Sequence, residues 1–84
     1  MRIKKIAVLE EVLYADPNSH WKVMRFNDGE DFVATGYKMK PLIGRTYQLC
    51  GDWVDYNGQK QLKLRNGKKR KKVRGMRLVK DEIV

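Results

Sequence analysis

Apolar residues come in short runs in which apolar and polar positions alternate, with turn-forming residues between them. Ile6, Val8, Val12 and Leu13 mark one apolar set between Ile3 and Tyr14, interrupted by Glu10-Glu11. This predicts a long first strand with a bend or bulge at the glutamates, which would let it serve both halves of a barrel. Asp16-Pro17-Asn18-Ser19 is a turn by composition. A second strand is expected from His20 to Phe26, a tight turn at Asn27-Asp28-Gly29, and a third strand from Glu30 to Thr35 that stops at Gly36. Tyr37 to Ile43, with Pro41 inside it, reads as a connector with room for a short helical turn. From Arg45 to Val54 a fourth strand alternates, with Tyr47, Leu49, Gly51 and Trp53 on one face and Gln48, Cys50 and Asp52 on the other. Asp55-Tyr56-Asn57-Gly58 forms a second hairpin turn. A fifth strand, Gln59 to Arg65, sets Leu62 and Leu64 against Lys63 and Arg65 and ends at Asn66-Gly67.

Glycines recur every seven to nine residues between 29 and 75 without any self-similar repeat around them. Such punctuation of short strands predicts an all-β protein. A bent first strand, a hairpin, a longer link and a second hairpin match a small five-stranded OB-fold-type barrel, whose usual ligand face spans strands 2 and 3. An SH3-like barrel has a similar strand budget and is the structural rival.

The charge is uneven. The chain of 84 residues has a formal net charge of +9. Residues 1–67 hold 11 Lys/Arg against 8 Asp/Glu, and residues 68–84 hold 8 against 2. We therefore expect a nearly balanced barrel over 1–67 and a basic C-terminal tail over 68–84, ending in a short docked strand within Arg77–Val84. The tail suits phosphate backbones or acidic surfaces. It lacks the interleaved large apolar residues of a membrane anchor.

A chain this short has a thin core, burying about 60% of its unfolded surface, which argues against an elaborate active site. One cysteine, Cys50, and one histidine, His20, give no disulfide framework and no metal site. Cys50 is expected as a small buried hydrophobe, and the cysteine usage fits a reducing compartment. No run nears the ~18 apolar residues of a membrane span, and no signal peptide is evident, so a cytoplasmic protein without membrane partners is expected. The carboxylates cluster at turns or strand surfaces, and no nucleophilic triad can be assembled. The expectation is a non-enzyme without cofactor or small-molecule substrate.

Over residues 9–65 the chain resembles the N-terminal OB-like domain of RecD/TraA-type DNA helicases. The resemblance rests on Glu11-Val12, Tyr14, Asn18, Trp21, Val23, Arg25, Val33, Gly36, Pro41-Leu42, Gly44, Leu49, Gly51-Asp52-Trp53-Val54, Gly58 and Gln61. It implies an OB fold and a DNA-processing context, as in a free-standing accessory protein of a phage, plasmid or bacterium. The motor is not implied, because no Gly-x-x-x-x-Gly-Lys-Ser/Thr phosphate loop occurs. The turn after Val54 departs from the family's longer His/Pro-containing segment, and the basic tail has no counterpart in the family.

Binding a single strand takes aromatic faces for bases and cations for phosphates. Trp21 opens strand 2 beside Lys22 and near Arg25; it reads as a stacking platform with two phosphate contacts, or as an aromatic closing one barrel end. Tyr37 precedes Lys38 and Lys40, and Tyr56 sits at a hairpin tip near Lys60. Lys63 and Arg65 face outward, as phosphate contacts or as a solvated surface. Trp53 and Tyr47 belong to the core by alternation. In the tail, Lys68, Lys69, Arg70, Lys71, Lys72 and Arg74 could neutralise about six phosphates, which predicts a log–log salt slope near −4 on a single strand. The expected role is a binding module for single-stranded DNA first and RNA second. The rivals are a protein-interaction module docking on a replication, recombination or host protein, and a structural subunit whose tail touches rRNA or DNA nonspecifically.

Overall fold

A charge pair cannot occupy the apolar side of a strand, and the chain bends where one occurs. In a computed structural model, which describes residues 2–65 and 75–79, the first strand, β1, runs Arg2–Ala15. Its register slips between Leu9 and Glu11 and again between Val12 and Tyr14. The slips redirect the strand. Arg2–Val8 pairs antiparallel with β4 (Thr46–Tyr56), and Val8–Ala15 pairs antiparallel with β2 (Trp21–Asn27). β3 (Asp31–Tyr37) is antiparallel to β2 and parallel to β5 (Gln59–Leu64), which returns antiparallel to β4. The order β1-β2-β3-β5-β4 closes through the β1–β4 pairing into a five-stranded OB-type barrel. Closure leaves the ring no edge strand to aggregate.

The two hairpins follow from turn chemistry. Asn57 and Gly58, at φ 53° and 80°, form the two-residue β4–β5 loop, and Gly29 at φ 113° lies in the β2–β3 loop. Gly36 does not end β3; the strand continues through it to Tyr37. It is a packing glycine, because a Cβ there would press on the Leu64 side chain. The connector of residues 38–45 contains no helical turn. Arg45 N–H donates to Leu42 O within it, and its other backbone bonds go to neighbouring segments: Lys38 N–H to His20 O, Gly44 N–H to Leu9 O, and Leu9 N–H to Arg45 O.

A short sixth strand, β6 (Met76–Leu78), adds antiparallel to β4 on the edge that β5 uses. Arg65 N–H donates to Cys50 O, and Cys50 N–H donates to Gly75 O. The chain therefore departs from β4 and rejoins it against one residue. Cys50 lies on the face opposite Leu49 and Gly51, as the alternation places it, but it is half-buried, a correction to its expected burial. Leu49 and Gly51 take the inward positions on either side of it.

Leu9, Met24, Phe26, Ala34, Leu49 and Leu62 are fully buried, with Tyr47, Leu64 and Met76 nearly so. Each large side chain removed from water contributes about 1.5–3 kcal/mol. Trp53 is half-buried and packs against this core. The Tyr47 hydroxyl accepts the Leu42 N–H at 2.9 Å and so ties the connector to the core. Tyr47→Phe should cost about 1 kcal/mol in urea denaturation. A loss no larger than the measurement error would mean that water replaces the tie.

Near the β2–β3 loop, the Lys5 ammonium lies over the rings of Phe32 and Trp53 and pairs with Asp28 at 2.6 Å. The Lys5 hydrogen bond, then the Glu30 N–H, holds the Asp28 carboxyl below its ordinary value. A depressed carboxylate stabilises the fold fully above the unfolded value of about 3.9. That contribution fades as pH falls through the folded value. The stability gap between wild type and Asp28→Asn should be constant near neutrality and close in acid. A gap that does not change with pH would contradict this pairing.

Candidate nucleic-acid interface

Alternation along β2 decides which side chains can meet a ligand. Met24 and Phe26 point into the core, so Trp21, Val23, Arg25 and Asn27 point out. On β3 the outward set is Asp31, Val33, Thr35 and Tyr37. Trp21 lies directly across from Tyr37. The second slip in β1 brings Tyr14 across from Val23 on the same face, and its ring meets Trp21 edge-on at 6.0 Å and 62°. Tyr14 is 51% and Tyr37 55% exposed, so three aromatics from three strands share one end of the face.

The turn before β2 fixes this cluster. Asp16 N–H donates to Trp21 O, Trp21 N–H donates to Ser19 Oγ, and Ser19 Oγ donates to the Asp16 carboxylate. Asn18 N–H donates to the other Asp16 oxygen. The only carboxylate of that turn is thereby engaged within it.

On β5, Lys63 faces outward beside Thr35, and Arg65, just past the strand, alternates to the same side. Lys63 is exposed and Arg65 half-buried. Trp21, Tyr37, Lys63 and Arg65 therefore share one face, and Tyr14 joins them. Tyr14 entered the sequence reading only through the family resemblance, because its place on this face depends on the unforeseen slip at Leu13.

The other anticipated residues are placed differently. Lys22 alternates to the side opposite Trp21, half-buried, with its ammonium donating to His20 O at 3.4 Å. Arg25 shares the face of Trp21 but pairs with Glu11 at 3.2 Å and Glu10 at 3.8 Å. Lys38 extends over the Tyr47 ring at 5.7 Å, and Lys40 is exposed in the connector at φ 53°. Tyr56 and Lys60 lie at the opposite end of the barrel, where Lys60 covers Trp53 at 5.5 Å. Lys68, Lys69, Arg70, Lys71, Lys72 and Arg74 lie outside the described residues, as does the turn at Asn66-Gly67. Both described ends of that segment, Arg65 and Gly75, are fixed on Cys50.

Among the described residues, no group of three His, Cys, Asp or Glu is placed to hold a metal ion. No helix among them is long and apolar enough to cross a membrane. Comparison with protein families, with curated proteins and with solved structures returned no significant match.

Proposed function

We propose that this chain is a non-enzymatic, cytoplasmic nucleic-acid-binding module that holds a single strand, DNA in the first reading and RNA in the second, across the outer face of β2 and β3. The observation carrying this reading is the convergence of Tyr14, Trp21 and Tyr37 with Lys63 and Arg65 at one end of an OB-type face. Bases would stack on the rings, each worth about 1–3 kcal/mol, while the cations take phosphates. In the sequence the basic run from Lys68 to Arg74 follows Arg65 after Asn66-Gly67, and it would add phosphate contacts to those of the face. The resemblance to a helicase N-terminal domain adds a DNA-processing context, fitting an accessory protein of a phage or bacterium.

The test separates face from run. Cutting the chain after Gly67 would remove the buried Met76, so the run is better neutralised than deleted. Changing Lys68, Lys69, Arg70, Lys71, Lys72 and Arg74 to Gln should flatten the log–log salt slope by about 4 in anisotropy titrations. Oligonucleotide in excess should still quench tryptophan emission. Binding that vanishes with the charges would deny the face any role in reading nucleic acid.

A second reading, a docking module for a protein partner, draws on the connector. Met39 and Ile43 are 58% and 60% exposed on a segment tied to the barrel by Tyr47, Leu9 and His20. Apolar side chains held in water on an anchored loop mark a contact surface. Met39→Ser with Ile43→Ser should leave oligonucleotide affinity unchanged and abolish partner capture if this reading holds.

A further inference from the structure

The outer face is divided along its length. Toward the Asp16–His20 turn it carries Tyr14, Trp21, Tyr37 and Lys63. Toward the β2–β3 loop it turns acidic. There Arg25 is shared by Glu10 and Glu11, two carboxylates for one guanidinium. Next along the strands comes the Asn27–Asp31 pair, in which the Asn27 amide donates to the Asp31 carboxylate at 2.7 Å, followed by exposed Glu30. Asp28 is engaged by Lys5 and adds little to the imbalance.

We infer that a single strand crosses only the aromatic half of this face, over about three nucleotides, and that Glu10, Glu11, Glu30 and Asp31 set the limit. The inference rests on the nucleic-acid reading above and deepens it. A phosphate laid over the acidic half would face uncompensated carboxylates and find Arg25 occupied. Neighbouring strands lie about 4.8 Å apart, so the path from Tyr14 on β1 across β2 and β3 to Lys63 on β5 spans roughly 14 Å. With one base per ring, three rings set the footprint, just under the ~4–16 nucleotides usual for one OB fold. The path ends at Lys63, outward beside Thr35.

Amide chemical-shift mapping of the full chain with an eight-residue oligothymidylate tests this. Shifts should concentrate at Tyr14, Trp21, Val23, Thr35, Tyr37 and Lys63, with Asn27, Glu30 and Asp31 silent. In a variant carrying Glu10→Gln, Glu11→Gln, Glu30→Gln and Asp31→Asn, the perturbed set should spread to Arg25 and Asn27, with affinity at least about threefold tighter. Wild-type shifts that already reach Asn27 and Asp31 would overturn the half-face limit and leave the nucleic-acid reading standing. A map silent over all of β2 and β3 would overturn both.

Discussion

Gly51→Ala should destabilise the barrel by about 3 kcal/mol, the upper part of the range for overpacking. Gly51 sits on β4 opposite Leu64, where the strand begins to pair with β5. A Cβ at this position would collide with the backbone carbonyl of Lys63. A flexible side chain could move aside, but a carbonyl in a sheet ladder cannot move without breaking register. For a domain of this size the change should lower Tm by more than about 10 °C. Cys50→Ala is the control: one residue away, on the outer face, it should cost under about 1 kcal/mol. If Gly51→Ala falls within 1 kcal/mol of wild type, β4 and β5 do not approach this closely. The position also matters for the proposed function, since Lys63 and Arg65 are held where they are by this crossing.

The elements that local chemistry determines were legible in the sequence. Glu10-Glu11 cannot continue an apolar face, and the bulge falls there. Tyr47, Leu49 and Gly51 alternate inward as their spacing requires, and Asn57-Gly58 takes the positive φ values of a tight turn. The misses have particular causes. Gly36 acts as a strand residue because Leu64 packs against it, a contact between positions far apart in the chain. Leu13 is bulged without any charge or glycine to announce it, so Tyr14 emerged on the outer face of β2 unforeseen. The pairing of Lys22 with Trp21 as neighbours on one face contradicts strand alternation, and Met24 and Phe26 already implied as much. The occupation of Arg25 depends on β1 lying beside β2, which no local pattern encodes. Trp21, Tyr37, Lys63 and Arg65 were thus readable as residue types, while Tyr14 and the partition of the face into an aromatic and an acidic half are products of long-range register.

Trp21→Ala should weaken single-stranded DNA binding about tenfold at fixed salt. One stacked base is worth about 1–3 kcal/mol, and 1.4 kcal/mol is a factor of ten. Because no phosphate contact is lost, the log–log salt slope should not change, in contrast to neutralising the basic run. Tyr37→Ala should cost a similar amount, since Tyr37 lies directly across the ladder from Trp21. The double variant should lose less than the sum, because both rings and Tyr14 form one contiguous surface. Trp21 also shields part of the barrel end, being half-buried, so each variant needs its denaturation curve measured alongside. Affinity lost with stability intact assigns Trp21 to ligand stacking. Stability lost with affinity intact assigns it to closing the barrel, and nucleic acid would then have no platform on β2.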